Sequence, residues 1–204
     1  MSLFSFSEGK KEGYQVLQDF EVRFRDYSIS SIRMEDALPV MHWRNEQISA
    51  LRQQHPLTEE EQLDYFREKV APDFAKPEPE QILLRYTLAE SLIGYGGLVH
   101  IDWEDRIAEV SFLLDTERTK DLRNYGMECS IFMQLLKKCA FEALDLNKIN
   151  TESYANREWH VRAIEASGFR REQILSGHVV IDGKPTDAVI ASCVKEDYLL
   201  SIPD

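Results

Sequence analysis

The order of predicted elements between residues 108 and 169 constrains the fold of this chain more than any other feature. An alternating apolar stretch predicts a strand, and apolar residues at helical spacing then predict a long amphipathic helix from about 126 to 144. A strand over 148–154 and a helix over 157–167 follow. A strand, a helix and a second strand in this order predict a crossover within one sheet, with the helix packed on its face.

The flanking segments extend this sheet on both sides. Alternating residues predict strands over 81–88, 92–101 and 107–114, which form an antiparallel meander, and a closing hairpin over 171–181 and 185–194. The predicted fold class is therefore α/β (α+β), with a mixed, mostly antiparallel central sheet flanked by helices.

The first part of the chain adds a strand and two helices. Residues 27–32 predict a strand, and acidic residues from Glu35 open a helical pattern. Thr58 and Glu61 have the spacing of a capping box, which marks the start of the second helix. Three prolines predict that residues 71–80 form a loop.

Length and charge exclude several classes of protein. A chain of 204 residues suits one domain, which we divide into an N-terminal extension over 1–26 and a main domain over 27–204. The formal net charge of −12 argues against a broad nucleic-acid-binding surface, because an acidic surface repels phosphate. Residues 1–10 do not resemble a secretory signal, and no apolar stretch approaches a membrane span. The prediction is a soluble cytoplasmic protein.

The cysteines predict neither a disulfide framework nor a metal site. There are three, Cys129, Cys139 and Cys193, and none has CxxC spacing. Two fall in the helical pattern and one in a strand pattern, so all three are expected to be reduced and mostly buried. No metal cofactor is expected.

Five short segments together carry a pattern typical of one enzyme family. They are Trp43-Arg44-Asn45, Leu92-Ile93-Gly94-Tyr95-Gly96-Gly97-Leu98, Ala108-Glu109-Val110, Asn156 with Glu165-Ala166-Ser167-Gly168-Phe169, and Gly183 with Asp187. In this order and spacing the chain resembles the GNAT superfamily of N-acetyltransferases, closest to the branch that acetylates ribosomal-protein N-termini and to its small-molecule relatives. The resemblance runs from Tyr27 to Asp197 and implies a GNAT-like sheet with splayed fourth and fifth strands.

The resemblance implies acetyl-CoA as co-substrate, bound at the turn before the long helix. The family's turn has the form Q/R-x-x-G-x-G/A, in which backbone N–H groups at a helix N-terminus approach the pyrophosphate. In this register Asp121 takes the leading position, Asn124 replaces the first glycine and Gly126 matches the second. Asparagine tolerates a positive φ, so it can replace that glycine. The implied cofactor-binding residues are Arg123, Asn124, Tyr125, Gly126 and Met127.

Two further elements are implied to contact the cofactor. Where the fourth and fifth strands splay, the backbone groups of Phe112, Leu113 and Leu114 would pair with the pantetheine amide. Asn156 matches the asparagine that contacts the cofactor arm, and Trp159 would pack against that arm. The alternative for Asn156 is a helix N-cap, a position that asparagine favours.

The chemistry implied by the resemblance is direct attack of a primary amine on the acetyl thioester, which needs a base. Glu109 is the first candidate, because its mid-strand position between apolar residues predicts a buried carboxylate suited to proton abstraction near neutral pH. The alternative is a structural Glu109 paired with Arg85 or Arg106. His100 is the second candidate because histidine titrates near neutral pH, and its alternative is an exposed histidine at a strand end.

Some positions depart from the family pattern or leave their role open. The tyrosine acid that many members carry four residues before Gly-Phe is Ile164 here, and the serine that often follows the asparagine by three residues is Trp159. Arg44 and Asn45 are implied to face the acceptor amine. The alternative for Arg44 is a helix-end charge facing the helix dipole.

Three functions are compatible with these features. The first is an acetyl-CoA-dependent N-acetyltransferase acting on a small-molecule primary amine, for which an amino sugar attached to a nucleotide is one candidate. The second is the same chemistry on a protein N-terminus or lysine, and the third is a non-catalytic binding domain on a degenerate GNAT fold. The expected partners are an amine or a peptide N-terminus, without nucleic acid or membrane. Residues 1–26 either cap the site or mediate a homodimer.

Overall fold

The computed structural model of the chain describes residues 4–6, 13–18, 20–181 and 183–201, with residues 4–6 described for the backbone alone. The strands are β1 (Phe4–Phe6), β2 (Glu21–Phe24), β3 (Tyr27–Ser31), β4 (Ile82–Leu88), β5 (Ser91–Asp102), β6 (Ile107–Leu114), β7 (Lys148–Tyr154), β8 (Arg170–Ile181) and β9 (Lys184–Val194). The α-helices are α1 (Ala37–Glu46), α2 (Glu59–Tyr65), α3 (Ala71–Asp73), α4 (Leu122–Lys138), α5 (Glu158–Ala166) and α6 (Lys195–Ser201).

Within these residues the strands form one sheet in the order β1-β2-β3-β4-β5-β6-β7-β9-β8. Neighbouring strands are antiparallel except β6 and β7, which are parallel and are joined through α4. This is the crossover that the sequence predicts, and it confirms the mixed, mostly antiparallel fold class.

The parallel pairing of β6 and β7 is short. It covers three positions, from Ile107 opposite Lys148 to Glu109 opposite Asn150, and the two strands separate beyond that point. The predicted splay is therefore present, and it opens the sheet at its centre.

Apolar side chains cover both faces of the sheet. On one face, Phe132, Leu135 and Leu136 of α4 pack with Ala108 and Val110 of β6 in the larger core cluster. On the other face, residues of α1 and of the turns after α2 pack against Leu83, Tyr95 and Leu113. Successive β6 residues thus point to opposite faces, as the period of a strand requires. Each fully buried large side chain contributes about 1.5–3 kcal/mol to folding.

Several predicted bounds are confirmed. Strands β6 and β7 have the predicted ends, and the capping box is present: Thr58 Oγ1 accepts from Glu61 N at 3.2 Å, and Glu61 Oε2 accepts from Thr58 N at 2.8 Å. The three cysteines are free and buried, as expected.

Two helix predictions were wrong in extent. The long helix begins at Leu122 rather than near 126, because Asp121 caps it, and after Lys138 it continues as a π-helical turn over Cys139–Ala143. The predicted loop over 71–80 starts late, since α2 continues through a π-helical turn over Phe66–Val70 into α3. Pro72 therefore lies near the end of this continuous helical segment, one residue before α3 ends at Asp73.

The start of the chain continues the same sheet. β2 pairs with both β1 and β3, and the division at residue 26 remains a prediction. Most of residues 1–10, from which the absence of a signal was inferred, and Asp182 of the predicted hairpin turn lie outside the described residues. No helix in the part of the chain that the structure describes is long and apolar enough to cross a membrane.

Candidate active site

The separation of β6 from β7 opens a cleft of about 680 Å³. Its walls come from the two strands, from α5, and from the segments after α1 and α2 on the opposite face of the sheet. Val110 and Phe112 of β6 belong to the α4 side of the sheet, whereas Leu113 belongs to the α1 side. A ligand can therefore approach the gap from two faces, which we call the α5 face and the α1 face.

On the α1 face, two carboxylates from the two splayed strands meet one arginine. Arg52 Nη2 lies 2.9 Å from Glu109 Oε1 and 2.8 Å from Glu152 Oε2. His100 Nδ1 lies 3.0 Å from Glu109 Oε2. The structure thus brings both predicted catalytic candidates together and adds Arg52 and Glu152, which the sequence analysis did not identify.

Glu109 is less buried than predicted. It is the last β6 residue paired with β7, so the splay begins at its side chain and leaves it 21% exposed. The proposed pairing with Arg85 or Arg106 was wrong, because Arg85 contacts Glu35 and Asp36, while Arg106 contacts Asp145. His100 is 68% exposed, as its alternative interpretation predicts, yet its position at a β-bulge with φ of 49° places its ring next to Glu109.

On the α5 face, the cleft wall contains a buried histidine that the sequence analysis missed. His160 Nδ1 lies 2.8 Å from the hydroxyl of Tyr125, and both residues are buried. Burial, followed by the positive charge of Arg157, lowers the pKa of His160 to about 3. Burial also raises the pKa of the Tyr125 hydroxyl, which therefore keeps its proton.

This pair occupies one ring nitrogen of His160. The hydrogen bond to the Tyr125 hydroxyl engages Nδ1 and leaves Nε2, for which the described residues offer no hydrogen-bond partner. His160 precedes Ile164 by one helical turn on the same face of α5, and both line the cleft. This spacing is the sequence signal that would have identified His160.

The buried neutral histidine makes stability depend on pH. The unfolded chain binds a proton near pH 6.5, whereas folded His160 does so only near pH 3, so protons favour unfolding as the pH falls through this window. We expect a loss of about 2 kcal/mol between pH 7 and pH 5 from this group alone. Urea unfolding of wild type and His160→Gln at both pH values measures it. An equal pH dependence in the two proteins would contradict the assignment.

Another polar group in the cleft wall, on β7, also has no protein partner. The Ser153 hydroxyl is buried, lines the cleft and makes no hydrogen bond within the described residues. An unpaired buried hydroxyl costs about 1–3 kcal/mol. A ligand with a polar group in the cleft would remove that cost.

The turn before α4 differs from the prediction. Asp121 caps the helix, and its Oδ1 accepts from Arg123 N at 3.0 Å and from Asn124 N at 3.2 Å. Asn124 is helical without a positive φ, so the expected replacement of a glycine by a left-handed asparagine was wrong. The reason is the Asp121 cap, which allows the helix to start before Asn124. A Cβ at Gly126 would meet no atom within 4 Å, so the helix surface is open there.

A partly buried ion pair holds the segment that leads into this turn. Arg118, in the 3-10 turn Thr116–Thr119, places Nε 2.8 Å from Glu128 Oε2, and its Nη2 contacts Oε1. Glu128 is fully buried in α4 and also accepts from the Tyr27 hydroxyl at 3.3 Å. The start of α4 is thereby tied to the segment that follows β6.

The other predicted cofactor residues lie around the α5 face. Residues 112–114 pair with β5 on one side, and no described residue of β7 pairs with them on the other. Asn156 is exposed between β7 and α5, and its N-cap alternative was wrong because the cap position is Arg157. Trp159 is half-buried, with its ring edge-on to Tyr125 at 4.3 Å. Leu122 and Met127 of α4 are exposed.

The two residues predicted to face the acceptor amine have different surroundings. The Asn45 amide bonds the following loop: Nδ2 donates to Leu57 O, while Oδ1 accepts from Leu57 N and Gln53 Nε2, all at 2.8–2.9 Å. Asn45 therefore positions the loop that carries Arg52. Arg44 lines the cleft itself. Within the described residues there is no cluster of side chains suited to hold a metal ion.

Comparison with known proteins identifies a family profile and solved structures that are similar to this chain. A family profile described as an acetyltransferase (GNAT) domain matches residues 29–190. The structure is similar to that of a spermidine N-acetyltransferase from Vibrio cholerae in complex with CoA and spermine, with a TM-score of 0.76 at 17% identity over 86% of this chain and 99% of that chain. The dodecameric form of the Vibrio cholerae enzyme has a TM-score of 0.71 at 18% identity over 86% and 97% of the two chains. No curated protein sequence matches the chain significantly.

The family assignment rests on the profile, which covers most of the chain and includes the crossover and the splayed strands. The finer resemblance to the branch that acetylates ribosomal-protein N-termini is not supported, since the solved structures described above are spermidine N-acetyltransferases. The chain belongs to the GNAT acetyltransferases, a family of acyl-CoA-dependent N-acetyltransferases.

Proposed function

We propose that this enzyme transfers the acetyl group of acetyl-CoA to the primary amine of a small molecule. The main support for this proposal is the cleft between β6 and β7, which has a carboxylate pair on its α1 face and neutral polar groups on its α5 face. The amine would approach from the α1 face and the thioester from the α5 face. Such an arrangement holds nucleophile and electrophile on opposite sides of one gap, which favours direct transfer.

Glu109 is the proposed base. The amine loses a proton to Glu109, its nitrogen forms a bond to the acetyl carbon, and the carbon–sulfur bond then breaks to release the CoA thiolate. A strand N–H of Val110 or Phe112 is the proposed donor to the tetrahedral oxyanion. His100 contacts Glu109 and can receive the proton from it on the way to solvent.

His160 is proposed to act on the leaving group. Its Nε2 has no protein partner among the described residues and belongs to a side chain that lines the cleft. The low pKa keeps the imidazole neutral, so in the tautomer with its proton on Nε2 it would stabilise the thiolate by a hydrogen bond, and solvent would supply the proton. This role would replace that of the family's tyrosine acid, whose position is occupied by Ile164 in this chain.

A small acceptor is supported by the shape of the α1 face. A second cavity of about 290 Å³ adjoins the cleft and shares five lining residues with it, Arg44, Tyr65, Gln81, Val99 and Ser111. A cavity of this volume suits a small amine, whereas a peptide needs an extended groove. The similar Vibrio cholerae enzyme is described with spermine, itself a small amine.

Calorimetric titration with acetyl-CoA tests the proposal. We expect a Kd in the micromolar range, about −8 kcal/mol, for the wild type. Asp121→Asn keeps a capping side chain but removes a negative charge beside the expected pyrophosphate, so it should bind acetyl-CoA about fivefold more tightly. Absence of binding up to millimolar acetyl-CoA in both proteins would favour a non-catalytic domain on a degenerate GNAT fold.

A further inference from the structure

Arg44 is a half-buried cation at the junction of the two cavities on the α1 face. It lies in the last turn of α1 and lines both the cleft and the adjoining cavity. Its charge suits the helix dipole at that position. Its side chain, however, reaches away from the helix carbonyls and bonds groups from other segments.

The contacts of Arg44 hold the guanidinium in one orientation without neutralising it. Nη1 donates to the Tyr95 hydroxyl at 2.7 Å, and Nε donates to Gln53 Oε1 at 3.0 Å. Both acceptors are uncharged, and no carboxylate of the described residues lies within ion-pair distance of Arg44. A guanidinium has five N–H donors, so part of the fork stays free for a ligand.

Such an arrangement is costly unless a ligand completes it. Removing a charged group from water without a counter-charge is unfavourable, and the planar fork of arginine matches the oxygen pairs of carboxylate and phosphate groups. The neighbouring Arg52 shows the opposite case, because it is bridged by Glu109 and Glu152. Arg44 is the arginine on this face that lacks an acidic partner within the described chain.

The charge balance of the cleft supports an anionic ligand group. Five basic and five acidic side chains line it, so its formal charge is zero although the chain carries −12. Four of the acids are engaged by Arg52 and Lys76. Three of the cations, Arg44, Lys69 and Arg157, have no acidic partner in the described residues, and only Glu68 among the acids has no basic one. This balance does not favour a polycation.

We propose that the acceptor is an amine that also carries an anionic group, a carboxylate or a phosphate, and that Arg44 binds this group. The ammonium is held at the Glu109–Glu152 pair while the anion lies against the free donors of Arg44. The inference rests on the proposed function and narrows its substrate class. It distinguishes this enzyme from one that acts on polyamines.

Matched amine pairs test the inference. Acetyl transfer is measured for glucosamine 6-phosphate against glucosamine, for γ-aminobutyrate against its amide, and for spermidine. We expect kcat/KM for at least one anionic member to exceed that of its neutral partner by about tenfold or more, the effect of one charge-assisted hydrogen bond. The pair that shows the preference distinguishes phosphate from carboxylate.

The variant Arg44→Gln distinguishes a loss of anion binding from a general loss of activity. It keeps an amide to bond Tyr95 and Gln53 but removes the charge, so it should raise KM for the anionic amine more than for its neutral partner and thereby abolish the preference. Arg162→Gln, which removes an exposed charge on α5, should leave the preference intact. Equal use of both members of each pair, preference for spermidine, or a preference that survives Arg44→Gln would overturn the inference.

A binding measurement keeps the inference separate from the proposed function. If acetyl transfer is absent for every amine, the proposed function fails. Calorimetric titration of glucosamine 6-phosphate and γ-aminobutyrate into wild type and Arg44→Gln then still decides the inference. Binding that the variant loses by about tenfold supports the anion site, and binding that is absent or unchanged refutes it.

Discussion

Replacing Glu109 by glutamine should lower kcat/KM by about 10²- to 10⁴-fold, the usual contribution of a general base. Glutamine retains the size of the side chain and can still accept from Arg52, so the loss isolates the proton-accepting oxygen. Steady-state kinetics with acetyl-CoA and a productive amine, taken from pH 6 to pH 9, provide the measurement. The loss should be smallest at high pH, where more of the amine is already unprotonated.

Glu152→Gln is the matched control for this prediction. It removes the other carboxylate that contacts Arg52, on β7, where His178 Nε2 lies 3.8 Å from Glu152 Oε1, compared with 3.0 Å between His100 and Glu109. We expect it to raise KM and to lower kcat by less than tenfold, in the range of a lost binding contact. If Glu152→Gln is the more damaging change, the base is Glu152. Near-wild-type kcat/KM for Glu109→Gln across the pH range would rule out Glu109.

Replacing Arg118 by methionine should destabilise the fold by about 3–5 kcal/mol, because it leaves the fully buried Glu128 carboxylate without its counter-charge. That is a large share of the roughly 5–15 kcal/mol by which a domain of this kind is stable. Urea unfolding at pH 7, followed by circular dichroism, measures the change. Since Arg118 also fixes the start of α4, acetyl-CoA affinity should fall with it.

Two further variants show whether this loss comes from the unpaired charge. Arg162→Met breaks an exposed pair with Glu158 and should cost less than about 1 kcal/mol. The double variant Arg118→Met/Glu128→Met should recover much of the stability, because apolar side chains replace both members of the pair. A cost below about 1 kcal/mol for Arg118→Met alone would show that Glu128 is neutralised in another way.

Much of the fold was predictable because its signals are local. The bounds of β6 and β7 follow from alternation within each segment, and the start of α2 follows from the Thr58–Glu61 spacing. The start of α4 was misplaced for an equally local reason, since Asp121 was assigned to a phosphate-binding turn when it is a helix cap. Two roles competed for one residue, and the capping geometry decided between them.

The candidate site was predictable only in part. Glu109 and His100 were identified singly, and their contact depends on the bulge in β5, which no sequence pattern predicted. Arg52 and Glu152 were missed because they are 100 residues apart and meet only after the crossover is complete. His160 was missed because its partner Tyr125 is 35 residues away on another helix.

The sequence by itself determined the order of strands and helices, the crossover between β6 and β7 and the membership of an acetyltransferase family, because periodicity, caps and short motifs act over a few residues. Only the tertiary structure decided the electrostatic pairing in the site. Which carboxylates share Arg52, which hydroxyl bonds His160 and why Arg44 has no acidic partner among the described residues all depend on side chains from distant segments meeting in the cleft. Electrostatic pairing is set by distance in space, and sequence patterns carry little information about that distance.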